Sequence, residues 1–138
     1  MINFEKMKLI IVDDNNEFRA NLKFFIEQKL NHLVIAEASS GEEFLEIDQS
    51  IIREADIILM DIMMGPLDGI NTTKKITWHY FDLKIIAVTM HIEKVFLTQI
   101  IEAGFKGFVL KTNIFNTLEK ALNDVYSGRL YIEESLDF

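Results

Sequence analysis

Cysteine is missing altogether from the 138 residues. That removes disulfides, thiolate catalysis and thiolate zinc sites, and sets the chain apart from the stapled secreted class. Long hydrophobic runs are missing too. No stretch reaches the length of a membrane span, and the opening MINFEKMKLIIV has neither the basic flank nor the small-residue cleavage site of a signal peptide. The expected location is the cytoplasm. Positive charge is scarce: 14 Lys and Arg against 22 Asp and Glu give a formal net charge of −8. No broad basic footprint for nucleic acid or an anionic membrane is therefore available within these residues. Low-complexity runs, Ser/Gly linkers and the repeats of a solenoid are absent as well. What is left is a chain with 49% hydrophobic residues, enough for one domain with its own core and cramped for two.

Short apolar runs rich in Ile and Val alternate with longer amphipathic stretches, the pattern of βα units and a mainly parallel sheet covered on both faces. Five strands are expected, over residues 7–12, 33–38, 56–60, 84–88 and 107–110. Between the first two, Phe18, Leu22, Phe25, Ile26 and Leu30 fall on one helical face by their spacing and read as core. Ser40-Gly41-Glu42-Glu43 is a capping box that opens the next helix, with the hydroxyl and the Glu43 carboxylate each satisfying an orphaned backbone N–H. Further helices are expected over 69–80, 92–103 and 113–127. Crossovers between parallel strands are right-handed almost without exception, so the fold class is α/β, a doubly wound sandwich.

Polar chemistry follows the apolar strands at one end. LIIV leads to Asp13-Asp14, IILM to Asp61, IIAV to Thr89 and FVL to Lys111. In open α/β sheets ligands bind outside the carboxyl ends of the strands near the switch in strand order, so these residues should converge. Three ionised carboxylates close together require a cation or raised pKa values. Oxygen-only ligands with no His or Cys suit a hard cation, Mg²⁺ in particular. Asp61 is the candidate nucleophile for an acyl phosphate, Lys111 a mobile counter-charge for a phosphoryl oxygen, and Thr89 a hydroxyl donor. Asp13 and Asp14 are candidate metal ligands. Asp14-Asn15-Asn16 also leads directly into a helix, where such residues cap, and Asn15 or Asn16 can take that role beside a metal at Asp14.

Together, IIVDDN at 10–15, LMDIMMGPLDG at 59–69, VTMH at 88–91 and EAGFKGFVLK at 102–111 resemble the receiver domains of two-component response regulators. The resemblance covers nearly the whole chain. It implies a flavodoxin-like sandwich, with a five-stranded parallel sheet in the order 2-1-3-4-5 and five helices. It also implies phosphorylation of Asp61 by a phosphohistidine of a sensor histidine kinase. Mg²⁺ would be held by Asp14, Asp61 and the Met63 backbone carbonyl, with Asp13 acting through water, and Thr89 and Phe108 would form a switch pair. Such a domain is a phosphoacceptor and not an enzyme, with at most weak self-phosphorylation from small donors and self-dephosphorylation.

Two features depart from the family pattern. Gly65 precedes Pro66 where the family has the reverse order, which bears on the loop around the Met63 carbonyl. Thr112 follows Lys111 where the family often has a proline, so a trans bond is expected there, a cis one costing ~3 kcal/mol. Met63, Met90 and His91 flank the expected phosphoryl site. His32, His79, Trp78 and Tyr80 read as structural or surface residues.

VTMH and the ending ALNDVYSGRLYIEESLDF resemble the branch usually joined to a C-terminal LuxR-type helix-turn-helix. On that reading residues 1–128 are the receiver domain and 129–138 the start of a linker or extension, and DNA is met only through a further domain. A stand-alone receiver acting through protein contacts is the alternative. A phosphorylation-linked homodimer is expected, with Val95, Phe96, Phe115 and Leu118 as candidate interface positions. A phosphohydrolase with a nucleophilic Asp would carry a second Asp where Met63 stands. A flavin binder would need N–H donors where the first loop offers carboxylates.

Overall fold

The computed structural model describes residues 6–80, 82–90 and 94–133, with side chains in the last stretch from residue 97 onward. The chain alternates strands and helices as β1 (Lys8–Val12), α1 (Asn16–Gln28), β2 (Leu33–Ala38), α2 (Gly41–Leu45), α3 (Gln49–Glu54), β3 (Ile57–Asp61), α4 (Gly69–His79), β4 (Ile85–Thr89), α5 (Lys94–Ala103), β5 (Gly107–Leu110), α6 (Ile114–Tyr126) and β6 (Tyr131–Ile132). All neighbouring strands are parallel, in the order β2-β1-β3-β4-β5-β6.

Strand side chains alternate between faces, and the sequence fills both faces with apolar groups. Leu9 and Ile11 of β1 join Leu59, Val88 and Val109 beneath Leu22 and Ile26 of α1 and Leu118, Leu122 and Val125 of α6. Ile10 and Val12, one residue out of phase, join Ile58, Met60, Ala87 and Phe108 against Phe44 of α2, Ile52 of α3, Ile76 of α4 and Ile100 of α5. The expected stripe on α1 is confirmed in this packing: Leu22 and Ile26 are buried, and Phe18, Phe25 and Leu30 lie against them.

The structure differs from the sequence reading in three places. The helix opening at Ser40 is two short helices, because Asp48 accepts the N–H of Ser50 and caps a fresh start at Gln49. The described residues therefore contain six α-helices where five were expected. In the capping box, Ser40 Oγ accepts the Glu43 N–H at 3.0 Å, but the Glu43 carboxylate reaches back one residue further, to the N–H and hydroxyl of Ser39. Third, the sheet has six strands where five were expected. Gly128 takes the left-handed conformation (φ 92°) that closes α6, and the returning chain lays Tyr131–Ile132 on β5, with Tyr131 in the α1/α6 core. The sheet thus takes in residues from the stretch 129–138 that the sequence reading placed beyond the domain.

Candidate functional site

β1 and β3 lie side by side while β2 sits outside β1, so the chain reverses its direction of winding between β1 and β3. A crevice at the carboxyl ends of the two strands follows from that reversal. Asp61 ends β3 with its side chain 2% exposed, and Asp13, directly after β1, is equally buried. Asp14 stands exposed beside them. One oxygen from each of the three carboxylates lies within 4.8 Å of the others.

Local hydrogen bonds aim these groups. Asp13 Oδ1 accepts the Asn15 N–H at 2.8 Å, while Asn15 accepts from Phe18 N–H and caps α1. The cap is therefore Asn15, which leaves the Asp14 carboxylate to the crevice. Asp61 Oδ1 accepts the Met63 N–H at 3.1 Å, which turns the loop after β3 back over the strand end. Gly69 opens α4 against that same turn. A Cβ at this position would overlap the Asp61 backbone carbonyl, so only glycine lets the helix approach so closely. Gly65, by contrast, has open space around it and no positive φ, so the exchanged Gly65-Pro66 order imposes no close contact at that residue.

Lys111 follows β5 and its ammonium closes the site, 2.8 Å from Asp13 Oδ2 and 3.4 Å from Asp61 Oδ2. The Lys111–Thr112 bond is trans, as expected; no cis peptide occurs among the described residues. Thr89, at the end of β4, is buried and stands in register with Leu110. Burial first, then the Asp13 charge, push the Asp61 carboxyl up from 3.8 to about 7, against the opposing pull of Lys111. Three carboxylates facing one ammonium leave negative charge unbalanced, and oxygen donors alone suit a hard cation. The cluster fits a metal ion.

The description "response regulator receiver domain" matches residues 9–123. The chain belongs to this family. Its curated relatives include the transcriptional regulatory protein DegU of Brevibacillus brevis, 28% identical over 95% of this chain and 55% of DegU. They also include the response regulator UvrY of Escherichia coli K12 (30%, 94% and 59%) and the transcriptional regulatory protein LiaR of Bacillus subtilis 168 (32%, 94% and 61%). The chain thus spans about six-tenths of these relatives' length. Among solved structures, a LuxR-family response regulator from Aurantimonas superposes with a TM-score of 0.84 at 27% identity, covering 94% of this chain and 91% of that one. The isolated REC domain of RcsB from Salmonella enterica, solved with the phosphomimetic BeF3−, gives 0.82 at 26% identity, covering 95% and 96%. The receiver fold and the LuxR-type branch expected from the sequence are both confirmed.

Around this receiver site the structure adds residues that sequence reasoning assigned elsewhere or passed over. Phe18, read as core, also lies 4.5 Å from the Lys111 ammonium with its ring face. Arg19 donates to the Asp13 backbone carbonyl at 2.6 Å while its Nε faces Glu37 of β2 at 3.2 Å. No local motif marks either role, because the partners come from other elements or from the preceding loop. Phe108 is fully buried in β5. Met63 and Met90 are exposed at the mouth, and His91 lies outside the described residues.

Of the candidate interface positions, Leu118 is fully buried and is core. Phe115 is 47% exposed and meets Phe25 edge to face, and the side chains of Val95 and Phe96 lie outside the described set. Trp78 and His79 are exposed at the far end of α4, where Tyr80 lies under Arg53. His32 takes a structural role: its Nδ1 accepts the Met7 N–H at 3.0 Å and ties the connection between α1 and β2 to the residue before β1. No helix among the described residues is long and apolar enough to cross a membrane.

Proposed function

We propose that this receiver domain takes a phosphoryl group onto Asp61 from a phosphohistidine of a sensor histidine kinase. The observation that carries the reading is the buried Asp61 carboxylate at the end of β3, gathered with Asp13 and Asp14 and faced by the Lys111 ammonium. In the step, an Asp61 carboxylate oxygen attacks phosphorus, the P–N bond breaks, and its electron pair returns to the imidazole. An acyl phosphate then stands on Asp61. Lys111 pairs with a phosphoryl oxygen, exchanging part of its contact to Asp13, and Thr89 donates its hydroxyl from β4. Asp13, Asp14, Asp61 and the Met63 carbonyl would hold Mg²⁺, which when bound supplies charge neutralisation for the carboxylates and the incoming phosphoryl group.

Phosphorylation then draws Thr89 toward the site and repacks Phe108 behind it, a discrete change at the α5/β5 side of the molecule. The domain works as a cytoplasmic switch and not as an enzyme. Relatives named as transcriptional regulators and longer than this chain support a DNA-binding output joined to the receiver, gated through a phosphorylation-linked dimer.

Acetyl phosphate with Mg²⁺ tests the reading. The intact protein should gain the mass of one phosphoryl group, and both Asp61→Asn and removal of Mg²⁺ by EDTA should abolish the gain. Uptake by Asp61→Asn equal to wild type would remove Asp61 from the role.

A further inference from the structure

Among the described residues, Glu133 is the buried carboxylate that the acidic centre does not use. It follows β6 directly and is 3% exposed. Its contacts are to backbone. The Glu133 N–H donates to the Phe108 carbonyl at 3.2 Å, and its side-chain Oε2 accepts the Leu110 N–H at 3.1 Å.

The reason for that second bond lies in the strand register. β6 pairs Tyr131 with Gly107 and Ile132 with Phe108, and Tyr131 N–H donates to the Lys106 carbonyl. The last backbone rung is the Glu133 N–H on the Phe108 carbonyl, two residues before the end of β5. Leu110 N–H is the next donor facing that open edge, and a donor so placed requires an acceptor. The Glu133 side-chain oxygen stands where the carbonyl of a longer strand would stand. Leu110 is held on its other side by β4, where its register partner is Thr89. The residue after it is Lys111.

We propose that Glu133 is a positioning residue for Lys111: by fixing the Leu110 peptide on the outer edge of the sheet, it sets the direction in which the Lys111 side chain leaves β5 toward Asp13 and Asp61. The residue that follows β6 is thereby coupled to the ammonium in the acidic centre. What the ammonium does there rests on the phosphoacceptor reading; the coupling itself rests on geometry and is read without any phosphorylation.

The test compares wild type with Glu133→Ala, Glu133→Gln and Glu133→Asp in the full chain. In unphosphorylated protein, NMR should show the Leu110 amide of Glu133→Ala losing at least roughly tenfold in exchange protection and the Lys111 ammonium signal shifting, while Glu133→Gln, which keeps an acceptor oxygen, holds both near wild type. Uptake from acetyl phosphate with Mg²⁺ should fall about tenfold in Glu133→Ala and stay within about twofold in Glu133→Gln. A core variant far from the edge, Ile52→Val in α3, controls for general loss of stability.

An unchanged Lys111 signal in Glu133→Ala overturns the proposal, as does Ile52→Val slowing uptake to the same extent. Should Glu133→Ala fail to fold, Glu133→Asp withdraws the acceptor by one methylene, and a wild-type Lys111 signal there is equally fatal. Absence of uptake in wild type would sink the phosphoacceptor reading and leave the NMR comparison to decide on Glu133.

Discussion

In the metal-free chain the Asp61 carboxyl keeps its proton up to about pH 7, whereas its ordinary value is 3.8. Between those values the folded form binds a proton that the unfolded form has released. Folding stability from this group is therefore greatest below pH 4 and falls as pH rises toward 7. His32 acts in the opposite direction. Burial pushes its imidazole below 6.5, and Nδ1 must stay unprotonated to accept the Met7 N–H, so its contribution is lost as pH falls through and below 6.5. The Asp61 part is isolated by subtraction: urea titrations in EDTA across this range should show wild type losing stability relative to Asp61→Asn as pH rises. Parallel pH profiles for the two proteins would assign the dependence to other groups. The carboxylates were legible in the sequence because each follows an apolar strand, and parallel strands place such ends together. Glu133, Arg19 and Phe18 were not, because what they do depends on which elements the fold brings beside them.

At the level of elements, α4 makes the tightest demand. Its first residue, Gly69, lies against the Asp61 backbone, so Gly69→Ala must displace either the helix start or the strand end. Overpacking of this kind costs about 1–3 kcal/mol, and both urea stability and phosphoryl uptake should fall. Gly65→Ala, with open space around it, should leave stability within about 0.5 kcal/mol of wild type. The same helix carries Thr73, fully buried, whose hydroxyl has no partner among the described residues. Thr73→Val keeps the shape and removes the orphaned donor, and should raise stability by about 1 kcal/mol, seen as a higher midpoint in urea. Element existence was readable where runs are long and apolar on both faces, as in β1, β3 and β4. The start of α3 at Asp48 left a cap signal too short to separate from the helix before it. β6 has two residues and no period to detect; it exists because Gly128 turns the chain back onto an open strand edge.

Across the whole molecule, the charge cluster at one end of the sheet would link folding to any divalent ion it holds. A ligand that binds only the folded form stabilises it by mass action, about 1.4 kcal/mol at ten times its dissociation constant. Mg²⁺ should therefore raise the thermal midpoint of wild type, and Asp14→Asn, which removes the exposed carboxylate of the cluster, should blunt the rise. An equal rise in Asp14→Asn would place the ion elsewhere. Polarity also runs lengthwise through the fold: the acidic centre sits at the start of α4, and the single tryptophan, Trp78, stands 87% exposed at its other end, roughly 15 Å along the helix axis. Its indole faces water in the folded chain as it does in an unfolded one. Intrinsic tryptophan emission is consequently a poor reporter both of unfolding and of events at Asp61, and a fluorescent readout of this switch requires an indole introduced beside the crevice, at the exposed and adjacent Met90.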